Sequence, residues 1–281
     1  MFNQNIKSPV NIPVSKIHPF EGNPYKVLDN EEMNNLICSI QEQGVLTPII
    51  IRPIESTDEY EVISGHRRLH ATVKAGMKEV PAFIYAVTRD EAAIMLVDSN
   101  LHREHILPSE KAFAYKLKLE AMKHQGITCG QVGHKSRDEI SDTDSGRQIQ
   151  RYIRLTYLIP ELLDLVDEEK IALTPAVELS YLTDEEQYAL LGSIEVEDRT
   201  PSLSQAVRFK KLSQTGNLSD DDIETIMQED KANQKPMFKV SMEKLQEIAP
   251  RVKDKDFEDF VLKACEHYYR YLLRQRDRDS R

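Results

Sequence analysis

The chain has 281 residues, a formal net charge of −10 at pH 7 and only three cysteines. That length holds two or three domains, each large enough to bury its own core. No apolar run approaches the roughly 20 residues a membrane-spanning helix needs, and no basic segment leads into an apolar one as in a secretory leader. Cys38, Cys129 and Cys265 lie far apart with no metal-type spacing, and Cys38 is expected to be buried near the apolar face of its helix. The expectation is a reduced, cytoplasmic protein. The acidity is uneven: residues 1–105 carry −4, residues 106–160 carry +3, residues 161–235 carry −11 and residues 236–281 carry +2. A nucleic-acid reader needs a local basic face rather than a basic average, so the global charge does not exclude one.

Val14 to Ile17 reads as a short strand and Asn23-Pro24-Tyr25-Lys26 as a turn. A helix is expected from Asn30 to Gln43, with Met33, Leu36, Ile37 and Ile40 on one face and Gly44 as its stop. Val45 to Pro53 reads as a buried strand, and Glu59 to Ile63 as an alternating, half-buried one. A helix from Arg68 to Ala75 ends at Gly76. A further strand spans Val80 to Val87, and a helix capped by Thr88 leads to Ser99-Asn100-Leu101-His102-Arg103.

The junction Ile63-Ser64-Gly65-His66-Arg67-Arg68-Leu69 is the most informative stretch. A glycine between strand and helix lets the backbone approach a ligand, and free N–H groups at a helix start attract anions. Arg67 and Arg68 add fixed charge and forked donors that match phosphate oxygens. Together they describe a polyphosphate seat, built differently from a Walker loop, whose G-x-x-x-x-G-K-[ST] pattern is absent from the sequence.

Ser109 reads as the N-cap of a helix reaching Met122. After an irregular stretch, Ser136 to Thr143 forms a short helix, Asp144-Ser145-Gly146 a turn, and Arg147 to Leu158 a second helix ending before Pro160. Helix, tight turn, helix is the helix-turn-helix outline. At about 100° per residue, Arg147, Gln150, Arg151 and Arg154 share one arc while Ile149, Tyr152 and Ile153 occupy the other side. A basic polar stripe with an apolar back suits a helix that enters the major groove of double-stranded DNA. Helices follow at Pro160–Asp167, Pro175–Tyr181, Asp184–Leu191 and Ser202–Lys211, their acidity mostly a solvated face. Ser213 to Pro236 reads as a linker, with a short helix from Ser219 through Met227 as the alternative. Val240 to Tyr271 carries apolar residues at helical spacing, including Phe257, Phe260, Val261, Ala264, Tyr268 and Tyr271. So short a segment does not bury that face alone, which points to dimerisation.

The order of these elements, with "SIQEQGVLTPIIIRP", "YEVISGHRRLHATVKAG" and "VPAFIYAV", resembles the ParB family of DNA partition proteins over roughly residues 10 to 215. The resemblance implies an α+β N-terminal nucleotide-binding domain (1–105), an all-α helix-turn-helix domain (106–212), a linker (213–236) and a small helical C-terminal dimerisation segment (237–281). It further implies that CTP and Mg2+ sit between two elements. Ser64, Gly65, His66, Arg67 and Arg68 would hold the triphosphate, and Ser99, Asn100 and Arg103 would close it from the second side, with Asn100 also touching the metal. Ser145 and Gln148 would face bases beside Arg147, Gln150, Arg151 and Arg154. The implied function is recognition of a palindromic centromere-like site by a homodimer that clamps or spreads on DNA when CTP binds. A ParA-type ATPase would be its partner, docked near Phe2 to Ile12, and the protein would be nucleoid- or plasmid-associated with no membrane contact.

Three positions depart from the family pattern: His66 stands for a usual Glu, Ser99 for a usual Glu with Asp98 one residue earlier, and Asn-Pro-Tyr-Lys for a usual Gln-Pro-Arg. Slow CTP hydrolysis therefore stays open. A transcription regulator or nucleoid-occlusion protein of the same architecture is the alternative. A sulfiredoxin-like enzyme is disfavoured because it needs a cysteine where His66 stands.

Overall fold

The computed structural model describes residues 8–103, 105–125, 144–229 and 257–279, with isolated positions 246, 249 and 252. It divides into two compact units, residues 1–229 and 230–281. No described helix is long and apolar enough to cross a membrane.

The first unit begins with a five-stranded sheet made of β1 (Val10–Pro13), β2 (Ile17–His18), β3 (Ile49–Pro53), β4 (Tyr60–Ser64) and β5 (Glu79–Ile84), in the order β1-β5-β3-β4-β2. β1–β5 and β3–β4 pair antiparallel, while β3–β5 and β2–β4 pair parallel. The strand expected over Val14–Ile17 is instead a 3-10 turn at Val14–Lys16 between two short strands, where the Val14 N–H donates to the Lys78 carbonyl at 3.0 Å one step beyond the Pro13–Glu79 pair that ends β1.

Central strands covered on both faces lose the alternation of half-buried ones, and β4 shows this. Val62 packs with Ile49, Ile51, Val80 and Leu69 on one side, while Ile63 packs with Ala92, Leu96 and Val97 on the other. The first side is covered by α2 (His66–Lys74) backed by α1 (Glu31–Gln43), whose Asn30 caps the Met33 N–H. Met33 and Ile40 are buried there as their spacing requires, but Cys38 is exposed, a correction to the expected burial. The second side is covered by α3 (Arg89–Leu101), which starts in a reciprocal Thr88–Glu91 capping box.

The helical half contains α4 (Pro108–His124), α5 (Gly146–Leu155), α6 (Pro160–Asp167), α7 (Leu173–Leu179), α8 (Asp184–Glu197), α9 (Leu203–Gln214) and α10 (Asp220–Gln228). α4 belongs to both halves. Ala114 and Ala121 join the α3 core, Ala112 joins the core of α6 to α10, and Tyr115 and Met122 receive Ile149 of α5. Ser109 is not its N-cap. Proline opens the helix, and the Ser109 N–H and hydroxyl donate to the Asp167 carboxylate at 2.9 and 2.5 Å, so α6 supplies the cap from a distance. Ser219 does cap α10, and Ile223, Ile226 and Met227 are buried in the helical core. Part of the segment read as a linker is therefore packed helix. The short helix expected at Ser136–Thr143 lies outside the described residues, as do residues 2–7 of the expected partner-docking segment.

The second unit is described mainly through α11 (Phe257–Asp279), where Phe260, Leu262, Tyr268, Tyr269 and Tyr271 are exposed.

Candidate functional site: an anion seat and a basic helix

Gly65 links β4 to α2 in the left-handed region (φ 103°, ψ 26°) and occupies the N-cap position. α2 starts at His66, two residues earlier than its sequence suggested, so His66, Arg67 and Arg68 form its first turn. No side chain caps this helix, and the positive end of its dipole lies at this turn. A Cβ on Gly65 would stand 2.7 Å from Ile49 Cγ2 and 3.2 Å from Arg68 Nη2, so the backbone here lies directly on β3.

The three first-turn side chains point in different directions. Arg68 Nη1 donates to the Thr47 and Pro48 carbonyls at 2.5 and 2.7 Å, which fixes the guanidinium at the mouth of the turn, and partial burial lowers its pKa. Arg67 reaches outward to Glu32 of α1 at 3.1 Å. His66 turns inward, where Nε2 accepts from the Phe20 N–H at a long 3.4 Å. Burial first, and then the positive Arg103, push the His66 pKa down to about 4, against a smaller opposing pull from Glu61. The ring is therefore neutral at physiological pH. With Nε2 accepting, the ring proton sits on Nδ1, a donor that carries no net charge.

Arg103 brings the second element in. Its guanidinium lies 5.6 Å from the centroid of the buried Tyr25 ring, and Tyr25 Oη reaches the Val97 carbonyl at 3.5 Å. Burial also raises the Tyr25 pKa, keeping the phenol neutral. The loop carrying Phe20 and Tyr25 thus bridges the Gly65 turn and the end of α3. It is anchored by the Glu21 N–H on Glu61 Oε1 at 3.0 Å and by Arg89 on Glu21 at 2.9 Å. Asn100 is buried, its Nδ2 donating to the Leu96 carbonyl at 2.7 Å and to Ser99 Oγ at 3.2 Å, while Ser99 itself is exposed. The neighbouring Asp98 is already committed to the buried Lys118 of α4 at 2.5 Å.

Gly65, His66, Arg68 and Arg103 therefore converge, whereas Arg67 and Ser99 sit at the rim. Sequence reasoning marked residues 23–26 as a turn that departs from the family pattern, but missed the contacts of Phe20 and Tyr25 and the Glu61 anchor. Each contact spans 40 or more positions, so no local pattern announces it.

Because the folded His66 resists protonation, the unfolded chain binds more protons between pH 4 and 6.5. Stability attributable to this ring is thus complete above pH 6.5 and lost as pH falls toward 4. Between pH 7.5 and 4.5, wild type is expected to lose about 2 kcal/mol more in urea unfolding than His66→Gln. Parallel pH profiles would show that the ring is not held neutral.

The second candidate surface lies on α5. Ser145 is its N-cap and accepts the Gln148 N–H at 3.3 Å. The preceding Asp144 takes the Tyr115 hydroxyl at 2.5 Å and Lys111 at 3.5 Å, pinning the turn to α4. Ile149 is fully buried against Tyr115 and Met122, as the apolar back requires. Arg147 is exposed and Gln150 half-buried. Arg151 donates to Gln148 Oε1 at 3.2 Å and to Thr174 Oγ1 at 2.6 Å. Ser145, Arg147, Gln148 and Arg151 line one wall of an open 570 Å³ groove, with Thr174, Val177 and Glu178 opposite. Arg154 lies on the expected arc, but its guanidinium is tied to Ser180.

The chain thus joins an α+β sheet domain, with a glycine turn at the start of α2, to a helical domain that presents the arginine-bearing α5. Residues 3–101 match the ParB N-terminal domain family. The chain is 33% identical over 162 residues to the chromosome-partitioning protein Spo0J of Thermus thermophilus, covering 58% of this chain and 56% of that one. It is 38% identical over 109 residues to a nucleoid occlusion protein of a Geobacillus species, covering 39% and 38%. Among solved structures, it is similar to a C-terminally truncated ParB of Caulobacter crescentus complexed to the centromeric parS site (20% identity, TM-score 0.43, 78% of this chain and 98% of that one). The same Caulobacter protein complexed with CTP-γ-S matches at 23% identity and a TM-score of 0.33, over 67% and 99%. Residues 3–101 thus carry a ParB N-terminal domain, and the chain is similar to a Spo0J partition protein over 162 residues. These matches span about half or less of the length of the curated relatives.

Proposed function

We propose that this chain is a DNA-binding partition protein that binds CTP with Mg2+ at the Gly65 turn and reads a palindromic centromere-like site through α5. The observation that carries the reading is the meeting of the α2 N-terminus, Arg68, His66 Nδ1 and Arg103 around one glycine turn, on a chain that also presents Arg147, Gln148, Gln150 and Arg151 from a buried-backed helix. The α2 N-terminus and the Arg68 and Arg103 guanidinium groups supply the kind of donors and positive charge that a triphosphate requires.

Among the described residues no group of three or more acidic, histidine or cysteine side chains could hold a metal ion. Mg2+ fits here as a cation carried in on the triphosphate, with the Asn100 amide oxygen as its protein ligand, since Mg2+ commonly takes few protein oxygens beside substrate phosphates. With Asp98 held by Lys118 and Ser99 a hydroxyl, no described carboxylate beside Asn100 is placed to activate water. CTP then acts mainly through binding, with any hydrolysis slow. The exposed aromatic residues of α11 support a homodimer, which a palindrome would match with its own two-fold symmetry. A ParA-type ATPase is the proposed partner. A nucleoid-occlusion role on the same architecture is the second reading, supported by the 38% identity to the Geobacillus protein.

The DNA half is tested by equilibrium binding to a duplex selected from a random library with the wild-type protein. Arg151→Ala is expected to cost about 1–3 kcal/mol on the selected duplex and to relax preference at one base pair. Equal loss on random DNA would reduce Arg151 to a phosphate contact.

A further inference from the structure

We infer that Arg154 is a positioning residue, which sets how α5 is held against α7, rather than a residue that touches DNA; this rests on the DNA-reading role proposed for α5. The periodicity of α5 places Arg154 on the same stripe as Arg147 and Arg151, yet one edge of its guanidinium is turned onto the protein. Nε donates to Ser180 Oγ at 3.0 Å and Nη2 to the Ser180 carbonyl at 2.8 Å, so one whole forked edge is used. Ser180 is itself 2% exposed and donates to the Val177 carbonyl at 2.7 Å, so this partner is fixed. Tyr181 and Tyr157 present their rings to the guanidinium, with its carbon 3.9 and 4.5 Å from their centroids.

Ser180 is the C-cap of α7, where carbonyls carry the negative end of the helix dipole and a cation is favoured. The contact continues outward: Lys210 of α9 lies 3.6 Å from the Tyr181 ring and pairs with Glu178 of α7 at 2.8 Å. Arg151 ties the N-terminal end of α7 through Thr174. α5 is thus held to α7 at two points one helical turn apart, which leaves it little freedom to roll. Arg154 has spent its Nε–Nη2 edge on the buried Ser180 and lies against two tyrosine rings, whereas the bonds of Arg151 go to side chains that line the groove itself, so Arg154 is the less able of the two to offer a fork to a base.

The test is full-chain binding to the library-selected duplex and to a random duplex across a salt series, for wild type, Arg154→Ala, Arg154→Lys, Tyr181→Leu and the Arg154→Ala/Tyr181→Leu double variant. Positioning predicts a roughly tenfold loss on the selected duplex for Arg154→Ala, with unchanged random-duplex affinity and an unchanged slope of log K against log salt. Arg154→Lys keeps the charge but not the planar fork, so it behaves like Arg154→Ala. Tyr181→Leu loses affinity in the same direction, and the double variant is no worse than the stronger single one. Thermal unfolding of each variant checks that the fold is retained, and the milder Tyr181→Leu carries the test if Arg154→Ala unfolds. A salt slope reduced by about one, with binding kept in Arg154→Lys, would make Arg154 a phosphate contact and overturn the inference. Relaxed preference confined to one base pair would make it a base reader, with the same consequence. If wild type enriches no duplex at all, the DNA-reading proposal itself fails and this inference falls with it.

Discussion

Gly65→Ala is expected to destabilise the protein by about 2–4 kcal/mol and to raise the Kd for nucleotide at least tenfold. Two effects add at this position. The backbone lies at φ 103°, where an L side chain is strained, and the new methyl would sit 2.7 Å from Ile49 Cγ2. Ile49 is fully buried at the start of β3 and has nowhere to go. Any adjustment moves the neighbouring Thr47 and Pro48 carbonyls, which hold Arg68 at the mouth of the turn. Gly76→Ala is the control: its φ is 74°, but no atom lies within 4 Å of the added methyl, so it reports backbone strain alone. Urea unfolding of the two variants separates strain from collision. Equal losses would show that β3 and the turn are not in close contact.

Glu61→Ala is expected to cost about 3–5 kcal/mol, because it strands the Arg52 guanidinium inside the sheet. Arg52 and Glu61 are direct cross-strand partners on β3 and β4, joined at 2.8 Å and each under 10% exposed. The other Glu61 oxygen holds the Glu21 N–H, so the same substitution frees the loop that carries Phe20 and Tyr25 to the seat. Nucleotide affinity should fall together with stability. Replacing both partners, Arg52→Met with Glu61→Leu, removes the stranded charge and should recover most of the stability but not the loop anchor. Recovery of nucleotide affinity along with stability would remove the anchor from the account.

β3, β4, β5, α1, α3 and their caps were legible in the sequence because their signals are local (alternation, an Asn or Thr cap, an acidic first turn), whereas β1 was missed and the strand expected at Val14–Ile17 is mostly a 3-10 turn. Boundaries failed where the determinant was remote. α2 begins at His66 because a left-handed glycine replaces a capping side chain, and α4 begins at Pro108 because Asp167, 58 residues away, supplies the acceptors that Ser109 was expected to provide. The seat was legible as Gly65, Arg67 and Arg68, but Arg67 turns to Glu32 while His66 turns inward, a sorting set by what packs on each face of α2. Periodicity likewise placed Arg154 on the right stripe without revealing that Ser180 and two tyrosines claim it. The exposed Cys38 shows the same limit, since helical spacing gives a face but not how far its partner extends.

The central claim is that the Gly65 turn and the end of α3 form a nucleotide seat. Its most direct test is calorimetric titration of the full chain with CTP, ATP, GTP and UTP in the presence of Mg2+, with and without the selected duplex. Saturable binding of CTP in preference to the other three, lost in Arg68→Ala, is the predicted result. No binding of any nucleotide under either condition would contradict it and leave the chain a DNA-binding protein whose basic helix acts without a nucleotide.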